Sequence, residues 1–406
     1  MDSRLYWIWL QQALPAGSTA VGDLLDTFGH ARTIYEATPD RLKEAGLSKD
    51  LCKRLSDKSL DTAHRILDRV LELGDWVLTP EDALYPLSLR HMTGCPAALY
   101  ARGVMPDLDG TPAIAVVGTR RASRNGWQEA HALAAGLAAG GVVVVSGGAV
   151  GIDAAAHTGA LQAGGKTIVV MACPLNENYP AENSNLRRQV VESGGLLLSE
   201  FPPDQPYKCD FHIRNRLMVG LSQGVCLAET PTRSGARITA RLAREQSREV
   251  FALPGALSGR LHDGAHKEIQ SGATLVIRAT DILREYAPLF PGVLDLETAE
   301  QVQKQTEGRT VSPPEKKKAD IPRKKRSEKK QTVTSEPVVL REPVGCPDTA
   351  SPSAKQVYEV LTDRFIPVDE LALAAAMPIS ALLAALTELE MYGCAENGAG
   401  QQYKRC

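Results

Sequence analysis

From Ala113 onward the chain alternates short apolar, β-rich runs with alanine-rich helical stretches, and this alternation restricts the fold more than any other feature. The runs are AIAVVG, VVVVSG, TIVVMA, LLLSE, VCLAE, EVFALP and TLVI. Each is apolar throughout rather than at every second residue, so both faces of each strand need cover. Segments such as WQEAHALAAGLAAG, IDAAAHTGALQAG and ARITARLAREQS supply the covering helices. The expectation is an α/β fold: an extended Rossmann-like, doubly wound parallel sheet over 111–290. The stretch 132–152 runs 21 residues without a charge. Its six glycines and its switch to VVVV read as a helix followed by a buried strand, not a membrane span.

The flanks have a different texture. Before residue 75, STAVGDLLDTFG, TPDRLKEAG and SLDTAHRILDRVLELG each open on a capping residue and space apolar positions three and four apart. A small helical domain with its connector is expected over 1–110. GLSKDLCKRL has the look of helix-hairpin-helix or SAM-like modules, although a small helical packing module explains it better. Residues 291–350 lose periodicity, and 315–330 hold nine Lys/Arg against three Asp/Glu, which reads as a flexible basic linker. Over 351–406, three helices and a hairpin turning at Asn397-Gly398 give a winged-helix pattern. Its candidate recognition helix, ISALLAALTELEMYG, lacks Lys and Arg and carries Glu388 and Glu390. Reading a groove needs donors for base edges and phosphates, so this module is expected to contact protein.

Charge and composition exclude several functions. The formal net charge is −2, which rules out a uniformly basic nucleic-acid binder but leaves room for a local basic groove. Six Phe, four Trp and ten Tyr are too few for binding dominated by aromatic platforms. The eight cysteines form no C-x-x-C pair, so reduced cytoplasmic thiols are expected rather than zinc or disulfides. MDSRLYWIWLQQ does not read as a signal peptide.

Chemistry in an open parallel sheet collects beyond the carboxyl ends of the strands. The loop Ser146-Gly147-Gly148-Ala149-Val150-Gly151 lies between a strand and a helix, where glycines and free N–H groups cradle an anion. No acidic residue follows at the next strand tip, which reads Ala172-Cys173-Pro174, so a phosphate-type anion fits and NAD does not. GALQAGGKT fails as a P-loop because a helix precedes it and a strand follows. Asp153 and His157 stand at i and i+4, but an acidic first-turn residue and a packing histidine account for them better than an acid–base pair. No nucleophile, metal ligand set or cofactor motif appears. What remains is basic and polar: Arg120, Arg121, Lys166, Arg214, Arg216, Arg233 and Arg237, with Asn215, Ser234 and Thr239 as neutral donors. Their convergence is expected to make a groove that follows a nucleic-acid backbone.

SGGAVGIDAAAHTGAL, TIVVMACPLNENYPAENSNL, FHIRNRLMVGLSQG and SGARITARLAREQSREVFALPG closely resemble the DprA (Smf) family of DNA-processing proteins, over about 100–285. The resemblance implies a cytoplasmic, homodimeric, non-enzymatic protein without a membrane partner. Its implied role is to bind and protect single-stranded DNA entering during natural transformation and to load RecA recombinase onto it. By position, the implied DNA-binding residues are Arg120 and Arg121, the Ser146, Gly147, Gly148 and Gly151 backbone, and Lys166. Arg214, Asn215 and Arg216 follow, then Ser234 and Gly235. The family's SGSLITA is SGARITA here, which puts Arg237 in place of an apolar residue. GAHKEIQSGATLV matches the family's final helix and strand, which implies dimer contacts at His266, Ile269 and Leu275. The rival readings are a nucleotide phosphoribohydrolase resembling the LOG family, whose P-G-G-x-G-T motif is only PGALSG here, and an NAD oxidoreductase.

Overall fold

The structure is a computed structural model that describes residues 2–14, 16–205, 211–258, 260–307, 350–362, 365–391, 394–398 and 402–405. The chain forms two compact units, 1–319 and 320–406.

The first unit is built on one nine-stranded sheet. Its strands are β1 (Trp76–Leu78), β2 (Leu99–Gly103), β3 (Ala113–Val117), β4 (Val143–Ser146), β5 (Thr167–Met171), β6 (Leu196–Ser199), β7 (Gly224–Leu227), β8 (Glu249–Ala252) and β9 (Thr274–Leu275). The spatial order is β1-β2-β6-β5-β4-β3-β7-β8-β9. All pairs from β6 to β9 are parallel, while β1–β2 and β2–β6 are antiparallel. All seven apolar runs are strands of this sheet, and the uncharged stretch is the end of the helix Arg124–Ala139 followed by β4. No described helix is long and apolar enough to cross a membrane.

Continuous burial follows from cover on both faces. Ile114 and Val116 point into one core with Trp127, Leu133 and Leu137 of the helix Arg124–Ala139. Ala115 and Val117 point into the opposite core with Leu217 of the helix Phe211–Gly220 and Ala236 and Ala240 of the helix Gly235–Glu245. This two-residue alternation is the strand period expressed between two apolar layers. The N-terminal helices bury Trp7, Ile8 and Leu10 in a third cluster that also takes Val169, Met171 and Leu197 from the sheet.

Two expected boundaries need correction. Within 1–110, residues 76–103 are not a mere connector, because β1 and β2 extend the sheet. Trp76 Nε1 donates to the Gly103 carbonyl at 3.1 Å, and Arg102 pairs with Asp75 through both carboxylate oxygens. Within 291–350, residues 296–307 are not linker. The helix Leu296–Glu307 buries Ala299 and Gln303 against the helix Arg124–Ala139. It fits because Gly136 and Gly140 present no side chain there. Gln303 accepts from Ala279 N at 2.7 Å and donates to the Ile277 carbonyl, so a polar residue is satisfied inside the contact. The basic run 315–330 lies outside the described residues.

The second unit packs the helices Pro352–Val360, Val368–Ala374 and Ile379–Met391 around one core beside a small antiparallel sheet. Its strands are β10 (Ile366–Pro367), β11 (Ala395–Gly398) and β12 (Gln402–Arg405), in the order β10-β12-β11. The expected turn at Asn397-Gly398 is corrected, since both residues pair in the ladder opposite Tyr403 and Gln402. Four ladder pairs outweigh the local turn preference of the dipeptide. Glu388 accepts from both the amide and the hydroxyl of Ser351, the N-cap of Pro352–Val360, so this carboxylate ties two helices together.

Candidate nucleic-acid interface

The winding of the sheet reverses at β3: β4 to β6 lie on one side of it and β7 to β9 on the other. Ligands of open α/β sheets bind beyond the carboxyl ends at such a switch point. A crevice of about 410 Å³ lies there. Its walls are Gly118 to Arg121 after β3, Phe211, Arg214 and Asn215 of the helix Phe211–Gly220, and, after β7, Arg233 to Ala236 with Ile238 and Thr239.

Arg214 forms its floor and is buried. Its Nη1 donates to the carbonyls of Gly147 and Val170, and its Nε donates to Asn215 Oδ1 at 3.0 Å. Burial pushes this guanidinium below its ordinary pKa, against the attraction of Asp153. Burial likewise pushes the Asp153 carboxyl up, with Arg214 opposing, while Ala149 N donates to its Oδ2 at 3.3 Å. Above the floor, the exposed Arg120 lays its guanidinium over the Phe211 ring, 4.2 Å from the centroid.

The glycine loop is shaped by its neighbours. Gly147 leaves the space that the Arg214 guanidinium fills, since a Cβ there would overlap it. Gly151 has φ 86°, a region open to glycine, and its backbone approaches the carbonyl of Thr119 too closely for a Cβ. Asn183 Nδ2 donates to the carbonyls of Gly148 and Ala149, both at 2.9 Å, and Ser146 Oγ donates to Val116 O. Across the crevice, Ser234 caps the helix Gly235–Glu245 by accepting from Ala236 N. The N-termini of the helices Ile152–Gln162 and Gly235–Glu245 therefore border the same opening, an arrangement that favours anions.

The expected seven-cation convergence is only partly realised. Arg120, Arg121, Arg214 and Arg233 line the crevice. Lys166 does not: it precedes β5, at the opposite end of a strand roughly 16 Å long, and its Nζ sits 3.5 Å from the Ser193 carbonyl. Arg216 does not either. Two residues along a helix is about 200° of rotation, so Arg216 leaves the helix on the side away from Arg214. It is buried at the seam with the N-terminal segment, bonded to both oxygens of Glu200 and to the Gly94 carbonyl. Arg237 is held by Glu268 at 2.7 Å, as is Arg244 at 2.6 Å, so it links two helices. Asn215 serves Arg214, and Thr239 is buried in the wall. His157 packs inside, its Nδ1 2.8 Å from Thr167 Oγ1, and burial drives its pKa down to about 3, so it stays neutral and forms no acid–base pair with Asp153.

Two residues of the site escaped the sequence reading. Phe211 opens the FHIRNR motif, but one aromatic beside four polar residues signals nothing until Arg120 is found upon it. Glu229 is the other. Its buried carboxylate accepts from the amide and hydroxyl of Ser123, and its carbonyl accepts from Thr119 N at 2.8 Å, so it pins both ends of the Arg120–Arg121 loop. The glutamate in CLAETPTRSG was the available sign.

Of the expected dimer residues, Leu275 lies exposed on the edge strand β9 and Ile269 is half-buried against the core. His266 places Nε2 3.1 Å from the Gly255 carbonyl and stacks on His262.

The family model described as DNA recombination-mediator protein A matches residues 76–287, beginning at β1, and a DprA winged helix domain model matches 342–401. The DNA processing protein DprA of Streptococcus pneumoniae is 43% identical over 206 residues, 50% of this chain and 72% of that protein. Protein Smf of Synechocystis is 27% identical over 411 residues, 100% of this chain and 99% of that one. The X-ray structure of the Streptococcus pneumoniae DprA superposes with a TM-score of 0.60 at 33% identity, covering 70% of this chain and 99% of the other. With one family model matched over 76–287 and the DprA winged helix domain model over 342–401, this chain belongs to the DNA recombination-mediator protein A (DprA/Smf) family.

Proposed function

We propose that the crevice holds single-stranded DNA, and that the protein acts in the cytoplasm as a homodimer that protects the strand and loads RecA onto it during natural transformation. The observation that carries this reading is the stack of Arg120 on Phe211 above the buried Arg214. Arg120, Arg121 and Arg233 meet phosphates at the rim, and the two helix N-termini add dipoles of the same sign. Phe211 offers a ring face to a base once Arg120 moves to a phosphate, and stacking of this kind ignores base identity. A duplex keeps its bases paired and stacked, so it cannot use Phe211, and a preference for single strands follows. The winged-helix module, whose helix Ile379–Met391 has no cation, is assigned a protein-docking role rather than groove reading.

The phosphoribohydrolase alternative draws on no observation, because Pro254 to Ser258 contribute nothing to the crevice wall. The test is titration of labelled oligo-dT, single- and double-stranded, across a salt series. Arg120→Glu is expected to weaken single-strand binding at least about tenfold, roughly 1.4 kcal/mol. Lys166→Glu is expected to leave it unchanged. Equal binding by wild type and Arg120→Glu refutes the interface.

A further inference from the structure

We propose that a second cavity, at the seam between the N-terminal helices and the sheet, binds a small hydroxylated phosphate monoester of the sugar-phosphate class. It shares no wall residue with the crevice, and the inference is independent of strand binding.

The cavity measures about 460 Å³, in the range of pockets that enclose a small ligand. Arg102 and Leu197, register partners across β2 and β6, form its base. The helix Ser184–Glu192 forms one wall, and residues 175–178, which follow β5, form another. Charge ties the seam together on this side. Arg102 pairs with Asp75, and Asp204 accepts both from Arg69 of the helix Asp61–Glu72 and from Asn176 Nδ2.

Two features of the wall call for such a ligand. The first is an uncompensated cation. Of the guanidinium groups at the cavity, Arg102 is answered by Asp75 and Arg188 by Glu192. Arg187 is only 7% exposed and forms no ion pair among the described residues. Its Nη1 donates to the Pro180 carbonyl at 2.9 Å and its Nη2 to Asn178 Oδ1 at 2.7 Å, both neutral acceptors. The remaining carboxylate at the wall, Glu177, is exposed. A buried cation without a counter-charge is costly, and a phosphate supplies that charge in the geometry a guanidinium fits. Ser184 opens the helix Ser184–Glu192 at the same wall, where the helix dipole favours the same sign of ligand. The second feature is an orphaned acceptor. Asn176 Oδ1 is buried without a hydrogen-bond partner, and the bond from Nδ2 to Asp204 at 2.7 Å fixes which way the amide points. An unpaired buried acceptor demands a donor, which a sugar hydroxyl provides. Leu175, Val191 and Leu197 offer the apolar surface against which a carbon skeleton packs.

Isothermal titration calorimetry of the full chain at constant ionic strength tests this with ribose 5-phosphate, ribose and inorganic phosphate. Ribose 5-phosphate is expected to bind at least about tenfold more tightly than either fragment. Arg187→Gln is expected to abolish that binding. Ser184→Glu is expected to do the same without disturbing the interior. Ser184 is exposed at a helix start, where an added carboxylate suits the dipole, yet the new charge repels a phosphate at the cavity wall. Arg120→Glu is expected to leave ribose 5-phosphate binding unchanged, because Arg120 belongs to the crevice. Binding of ribose 5-phosphate no tighter than that of inorganic phosphate overturns the proposal, as does wild-type affinity in Ser184→Glu. Loss of binding in Arg120→Glu, or displacement of oligo-dT by the sugar phosphate, places the ligand in the crevice and overturns it as well.

Discussion

Arg214 and Arg216 share one helical turn and part company because of its twist: one becomes the floor of the crevice, the other a clasp between the N-terminal segment and the sheet. Glu200 answers Arg216 from the end of β6, and burial pushes its carboxyl up while Arg216 pulls it down. Removing one member strands the other. Arg216→Met is expected to cost about 3–5 kcal/mol in urea unfolding, and a joint Arg216→Met, Glu200→Leu replacement much less. A single substitution as mild as the double would show the pair to be solvated. His157 gives a second test at this scale. Its folded pKa, about 3, lies below its ordinary 6.5. Below pH 6.5 the unfolded chain takes up a proton that the folded chain refuses. Stability therefore declines with falling pH by up to about 1.4 kcal/mol per unit until the folded pKa is reached. His131 and His262, also lowered by burial, act in the same direction. His157→Gln is expected to flatten the dependence of Tm on pH between 4.5 and 6.5; an unchanged slope would remove His157 from the cause.

At the scale of elements, what could be read from the residues was whatever local period encodes. The seven strands from β3 to β9 announce themselves because two-sided burial demands unbroken apolar runs. β1 and β2 do not, since strands of three and five residues at a sheet edge are specified by Arg102–Asp75 and the Trp76 indole, contacts distant in sequence. The helix Leu296–Glu307 is hidden for a related reason: its buried stripe is Ala299 and Gln303, which no apolar periodicity reveals. The glycine loop was legible as a strand-to-helix turn at the carboxyl end of β4, whereas the sorting of seven cations depends on helix phase and strand direction, neither of which a residue list carries. The helix makes its own prediction. A chain stopped after Glu307 is expected to keep the full-length Tm of the α/β unit, and a chain stopped after Leu294 to melt several degrees lower, because Leu283, Ala279 and the Gly136–Gly140 stripe lose their cover. Equal melting of the two would show that the segment contributes nothing to the core.

For the whole molecule, the proposed homodimer is tested at the edge strand β9. Leu257, Leu261, Leu275 and Ile277 expose apolar side chains around the last strand pair, and β9 itself is an unpaired sheet edge. An edge of this kind invites pairing with another chain, and the family resemblance assigns it to dimer contacts. Leu275→Asp is the cleaner probe, for Leu275 is 47% exposed, whereas Ile269 packs against the core and its replacement would perturb folding as well. Light scattering is expected to report a monomer for Leu275→Asp. The consequence for binding separates dimer from site. In the proposed homodimer, two crevices can engage one long strand, and the second engagement is then intramolecular. Leu275→Asp is therefore expected to lose about 10²-fold or more in affinity for a long oligo-dT while its affinity for a short one is unchanged. Equal losses on long and short strands would instead place Leu275 in the binding site, and a monomer that holds long strands as tightly as the wild type would remove avidity from the mechanism.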